Sequence, residues 1–168
     1  MSLKNSFLYF LAALALCFAS SLLLVSCDKK RVFDEYHAVG KGWNKDTIVR
    51  FDLPKLDPAK AYNLFFNIRD NNDYAFNNLF LIVSMEQPGK VTLVDTLEYQ
   101  MANPDGTLLG QGFTDIKESK LVYKERMKFK PGPYKVHIRQ AVRQTGKVTG
   151  VEKLEGITEV GFRIEKID

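Results

Sequence analysis

The sequence predicts an all-β protein, an antiparallel β-sandwich of eight or nine short strands for which a jelly roll is one available wiring. Three observations carry the prediction. From Arg31 onward apolar residues recur at every second position. Strong turn signals punctuate them at Asn103-Pro104-Asp105-Gly106 and Lys130-Pro131-Gly132-Pro133, and no long segment shows the 3.6-residue period of a helix. A pleated strand sends successive side chains to opposite faces, so period two marks a strand with one buried face.

Arg31 to Val39 alternates aromatic and apolar residues with polar ones, and Thr47 to Leu53 runs until Pro54, which lacks the amide needed to go on pairing. In 62–69, Tyr62, Leu64, Phe66 and Ile68 share a face. In 79–85, Leu79, Leu81, Val83 and Met85 do so, while Phe80 and Ile82 make the second face apolar as well, which predicts a central strand buried on both sides. Val91 to Met101 is long and ends in a turn where Pro104 presets one dihedral and Gly106 accepts a positive φ. Thr107 to Gly112 is expected to start a return strand, and Leu121 to Phe129 forms another. Beyond the Pro-Gly-Pro turn, Tyr134, Val136 and Ile138 share a face, and Val160, Phe162 and Ile164 share one in the closing strand. Brief helical turns are allowed only near 58–61 and 115–119.

Ahead of the strands, Lys4 is followed by 19 apolar or small residues, Phe7 to Val25, ending in Leu24-Val25-Ser26-Cys27. This is the pattern of a bacterial lipoprotein signal. Ser26 is the small residue before the scissile bond, Leu24 and Val25 form its apolar approach, and Cys27 takes an S-diacylglyceryl group and then an N-acyl chain. The expected division is a signal peptide over 1–26, the lipidated Cys with a tether and first strand over 27–40, and a sandwich domain over 41–168. Cys17 is a rival site, but bulky Leu16 precedes it in mid-run. A permanent membrane helix is the rival for the whole segment: its length is nearly enough, and Lys29-Lys30-Arg31 after the run fits retention. Yet a spanning helix gives no reason for Leu-Val-Ser-Cys at its boundary. Burial is worth about 0.8 kcal/mol per methylene, so one acyl chain holds weakly and two or three hold firmly.

Removing 26 residues leaves 142, one domain able to bury about two-thirds of its unfolded surface. Lys4 is the one charged residue removed, so the net charge of +4 falls to +3, too mild and too dispersed to point to nucleic acid. Lys29, Lys30 and Arg31 could touch anionic head groups beside the lipid. With Cys27 acylated no thiol remains, so the core alone must stabilise the domain.

The residues also carry a resemblance. Trp43-Asn44-Lys45-Asp46, Tyr62 through Arg69 with Tyr74 and Asn78-Leu79, Asp95-Thr96-Leu97-Glu98, and Gly106 with Leu109-Gly110-Gln111-Gly112 form its first part. Pro131-Gly132-Pro133-Tyr134, Gln140, Arg143, Leu154-Glu155-Gly156-Ile157 and Val160 through Lys166 complete it. In this order, behind a lipobox, they resemble the gliding-motility lipoprotein GldH family of the Bacteroidota. The resemblance implies a membrane-anchored cell-envelope lipoprotein without enzymatic activity. Its partners would be envelope proteins of gliding and of the secretion across the outer membrane linked to it. Surface-displayed lipoproteins of this phylum tend to carry acidic residues after the lipidated Cys. Here Asp28 is followed by Lys29-Lys30-Arg31, which favours a domain facing the periplasm.

Scarce residue types test for chemistry. His37 and His137 lie in separate strands with no His or Cys at ligand spacing, so no metal site is expected. No Gly-x-Ser-x-Gly elbow is present, although a dispersed triad needs none. Asp70-Asn71-Asn72-Asp73 has Tyr74 and Ala75 where a calcium loop needs a donor and a Gly, so it reads as a turn. Gly110-Gln111-Gly112 lacks the Lys and following helix of a phosphate loop and reads as a bulge or close strand approach. No catalytic residue and no cofactor are expected. Carbohydrate is the alternative ligand, and a hydrolase the third reading. Trp43, Tyr74 and Tyr99 are the candidate contacts for a partner or a glycan, against core packing as their ordinary use.

Overall fold

The computed structural model describes residues 28–112 and 114–167, so the readings on the signal segment and on Cys27 lie outside the described residues. Eight long strands carry the fold: β1 (Arg31–Ala38), β3 (Val49–Asp52), β4 (Ala61–Asp70), β5 (Asn78–Gln87), β6 (Val91–Gln100), β7 (Lys117–Lys128), β8 (Lys135–Gln140) and β10 (Ile157–Lys166). Two-residue strands β2 (Trp43–Asn44) and β9 (Lys153–Leu154) pair with each other. All pairings are antiparallel, in one sheet of order β1-β10-β4-β7 and another of order β3-β8-β5-β6. Lettered B to I along the chain, the eight long strands give B-I-D-G and C-H-E-F, the order of a jelly roll.

The period-two faces meet between the sheets. Leu64, Phe66 and Ile68 of β4 and Val160, Phe162 and Ile164 of β10 are buried against Leu79, Leu81, Val83 and Met85 of β5 and Val136 and Ile138 of β8. Phe162 sits at the centre, its ring 5.7 Å from both Phe51 and Phe66. Each such ring removes 150–250 Å² from water, so these rings are the main source of core stability.

Three expectations are corrected. β5 is central in its sheet, but Phe80 and Ile82 are only half-buried, because among the described residues no further layer covers the outer face of that sheet. Thr107 to Gly112 forms no strand. It is held by isolated bridges, Ala102 to Leu108 and Gln111 to Glu118, where Gly110 (φ +100) lies so close to the Glu118 backbone that a Cβ would meet its carbonyl oxygen at 2.7 Å. There is no helix among the described residues: 57–60 is a turn and Lys117 to Ser119 belongs to β7. β1, the first strand expected within 27–40, pairs along β10 from Arg31 to Ala38.

Strand direction sorts the connections into two ends. One end gathers residues 28–30, the β3–β4 loop (53–60), the β5–β6 turn (88–90) and the β7–β8 loop (129–134). The other gathers 39–48, 71–77, 101–116 and 141–156. Tyr62, Phe129 and Tyr134 close the first end with edge-on rings, at 5.8 Å for Tyr62 to Phe129 and 4.8 Å for Phe129 to Tyr134.

Candidate functional site

Asp28, the residue after Cys27, is bound to the sandwich. Its carboxylate accepts from Arg163 of β10, whose guanidinium also donates to Asp34 at 2.8 Å and to Glu165 at 2.7 Å. The Arg163 hydrogen bond holds the Asp28 carboxyl below its usual range. Backbone bonds from Arg31 N to Asp28 O (3.3 Å) and from Lys166 N to Lys30 O (2.9 Å) fasten the same segment. Only Lys29 and Lys30 separate Asp28 from β1, so the chain leaves the fold beside the start of β1 and the end of β10. Asp28 therefore lies at the first end.

The outer face of the same sheet is polar and internally paired. Tyr36 lies over Gly161, accepts from the Asn67 amide at 2.7 Å and is stacked by Arg69 at 4.3 Å. Arg69 in turn donates to Glu118 at 2.7 Å and to Glu159. Burial and the charges of Glu118 and Asp34 push the Tyr36 hydroxyl up to about 12. Within this network Asn67 Oδ1 is buried without a hydrogen-bond partner, while the charged groups are paired with one another.

The three aromatic candidates are not the exposed rings a contact surface needs. Trp43 is fully buried, donating from Nε1 to Thr47 O at 2.9 Å, and Tyr74 is buried with its hydroxyl donating to Asn78 O at 2.8 Å. Tyr99 is half-buried between the sheets, edge-on to Phe66, and donates to Val122 O at 2.7 Å. Each buries its ring and keeps one polar atom bonded, the usual solution for Trp and Tyr in a core.

The histidines stay apart. His37 is edge-on to Phe51 with Nε2 3.1 Å from Glu35, and His137 Nε2 lies 3.6 Å from Glu86. Among the described residues no hydrogen bond joins either to a hydroxyl, and no group of three or more His, Cys, Asp or Glu is placed to hold a metal ion. Asn71 to Tyr74 is a turn closed by Tyr74 N to Asn71 O at 3.0 Å. Asp70, just before it, is fully buried with no hydrogen-bond partner for either carboxylate oxygen, and burial pushes its carboxyl up to about 7.

The end opposite Asp28 carries a cleft of about 870 Å³, lined by Phe76 and Asn77 from the β4–β5 connection, Asn78 at the start of β5, Glu98 and Gln100 from β6, and Arg143 and Gln144 from the loop after β8. Asn78 donates to Glu98 at 2.6 Å, and Gln100 to Ala102 O at 3.0 Å. Amide, carboxylate and guanidinium groups beside one ring can hydrogen-bond hydroxyls or a peptide backbone and cover an apolar face. Asn78, Glu98 and Arg143 stand among the residues that carry the family resemblance, but β5, β6 and the loop after β8 contribute one each, so spacing alone does not bring them together.

A family model described as GldH lipoprotein matches residues 31–164. Over all 168 residues of both chains, this protein is 67% identical to the gliding motility lipoprotein GldH of Flavobacterium johnsoniae. Over 148 residues, 88% of this chain and 91% of the other, it is 55% identical to a gliding motility lipoprotein GldH homolog of Christiangramia forsetii. Among solved structures, a family GH115 4-O-methyl-alpha-glucuronidase aligns with a TM-score of 0.42 at 14% identity, covering 84% of this chain and 18% of the other. Dimeric latent PorU from Porphyromonas gingivalis aligns with a TM-score of 0.37 at 7% identity, covering 84% and 14%.

Proposed function

The chain belongs to the GldH lipoprotein family, and on that premise we propose how it works: lipid on Cys27 anchors it in the cell envelope, with the jelly roll facing the periplasm. There the protein is a non-catalytic component of the machinery for gliding motility or for the protein secretion associated with it. The observation that carries the reading is the identity of 67% to a gliding motility lipoprotein along the full length of both chains.

The geometry supports a division of labour between the two ends. Asp28 is pinned at one, beside the residue to be acylated, and the polar cleft opens at the other. A domain held this way turns its cleft and long connections away from the membrane, toward other envelope proteins. A second reading, a glycan ligand, is favoured by one observation: the cleft sets Asn77, Asn78, Gln100, Gln144, Glu98 and Arg143 around Phe76.

Affinity purification from detergent-solubilised envelope tests this, comparing wild type with Cys27→Ala and with an Arg143→Ala, Glu98→Ala cleft variant. Wild type is expected to recover a defined set of envelope proteins that the cleft variant loses. Recovery of none by any form would overturn the complex-component reading. Retention of the wild type alone on an envelope polysaccharide matrix would favour the glycan. Mass spectrometry of the N-terminal peptide reads the anchor itself: an intact Met1 or an unmodified Cys27 would sink it.

A further inference from the structure

We propose that the end of the jelly roll beside Cys27 is a basic surface that docks the domain against anionic phospholipid. The proposal rests on the reading that Cys27 bears the lipid, which puts this end next to the bilayer.

Charge is sorted between the two ends. The four connections at the Asp28 end carry six Lys against two Asp, a balance of +4, whereas those at the cleft end carry five basic and six acidic residues, a balance of −1. The strand ends add Arg31, Lys128 and Lys135 to the first set. Lys29, Lys30 and Arg31 come from the N-terminal arm, Lys55 from the β3–β4 loop, Lys90 from the β5–β6 turn, and Lys128 and Lys130 from the approach to β8. All seven are exposed and none has an ion-pair partner among the described residues. Among the described residues the carboxylates at the same end are already engaged: Asp28 by Arg163, Asp52 by Lys135 at 3.6 Å, Asp57 by Lys60 at 3.7 Å and Glu86 by His137. Glu125 and Arg126, further along β7, offset one another.

The loops that present these lysines are held in place. Leu53 N donates to Tyr134 O at 3.0 Å, Lys130 N to the Tyr134 hydroxyl at 2.9 Å, and Asp57 N to the Tyr62 hydroxyl at 3.1 Å; Gly132 packs on Pro88. The lysines therefore share the end that the Tyr62, Phe129 and Tyr134 rings close. A lysine near an anionic surface shifts a docked-to-undocked equilibrium by about fivefold, and seven acting together on an anchored domain make the docked form dominant. The polar cleft at the far end then points away from the bilayer.

The full chain, purified from membranes, is reconstituted into vesicles of phosphatidylcholine alone or mixed with phosphatidylglycerol, and amide hydrogen exchange is followed. In the anionic vesicles exchange in 53–60, 88–91 and 128–134 is expected to slow by roughly fivefold or more, with 103–106 and 143–148 unchanged. Raised salt is expected to reverse the effect. A Lys55→Glu, Lys90→Glu, Lys130→Glu variant is expected to lose the difference while melting like wild type, and Lys41→Glu, Lys147→Glu at the cleft end to keep it. Equal exchange in the two vesicles, or protection that survives the triple reversal, overturns docking through these lysines, and slowed exchange confined to the cleft end assigns the contact elsewhere. The mass of the N-terminal peptide in the same sample reports lipidation separately. Docking without an acylated Cys27 would contradict the anchor alone, and an acylated but undocked domain the present inference alone.

Discussion

The Tyr123 hydroxyl of β7 donates to the Asp95 carboxylate of β6 at 2.8 Å, joining the two sheets along the side of the sandwich where each ends in an edge strand. Lys124 reaches the same carboxylate at 3.0 Å, and Tyr99 crosses in the other direction to Val122 O. Edge strands present unpaired backbone groups and a gap between sheets, and inward-pointing polar side chains here tie that gap shut.

Replacing Tyr123 with Phe keeps the ring and removes this bond. Partial burial works to raise the Asp95 carboxyl, but Lys124 and Tyr123 outweigh it and hold it below its usual range. A carboxyl depressed in the folded state adds stability above its unfolded pKa that is lost as pH falls through the folded value. Tyr123→Phe is therefore expected to cost about 1 kcal/mol at neutral pH and progressively less below pH ~4. Urea denaturation at several pH values measures both; a cost that does not shrink in acid would mean the carboxylate is not the acceptor that matters.

Asp70 has the opposite sign. Burial raises its carboxyl to about 7, so the folded protein prefers the protonated form, and stability falls as pH rises from the unfolded value near 4 to about 7 and then levels off. The ceiling on that loss is of order 4 kcal/mol. Asp70→Asn cannot ionise and is expected to be flat over this window, gaining on wild type at pH 8 and not at pH 4.5. Parallel curves for the two proteins in chemical denaturation would show that the carboxylate is solvated.

Gly156 and Gly146 separate two costs of an added methyl. Both have positive φ, +84 and +78, but a Cβ at Gly156 would meet the Tyr74 backbone nitrogen at 2.2 Å, whereas none at Gly146 would meet anything within 4 Å. Gly146→Ala is expected to lower stability by about 1 kcal/mol, the conformational term alone. Gly156→Ala adds an overlap with backbone that cannot move aside, for a loss of roughly 3 kcal/mol or more. Thermal unfolding of the pair reads the difference, and equal losses would place Tyr74 elsewhere.

Much of the fold was legible because alternation is local. Tyr62 to Ile68, Leu79 to Met85 and Val160 to Ile164 each reveal a strand and its buried face from spacing alone. The β2–β9 ribbon was not, since two residues cannot show a period and Trp43 finds Leu154 only across the chain. For the same reason Trp43 and Tyr74 offered themselves as contacts: their burial depends on connections that close over one end, and nothing adjacent in sequence reports that.

By itself the sequence determined the strand class and the family, both of which reside in neighbouring residues or in their order along the chain. Tertiary structure alone decided that Arg163 holds Asp28, that Asn78, Glu98 and Arg143 line one cleft, and that lysines from Lys29 to Lys130 share one end. The physical reason is the jelly-roll wiring. Antiparallel pairing brings connections from all along the chain to the same end, so charge scattered evenly in the sequence becomes sorted in space.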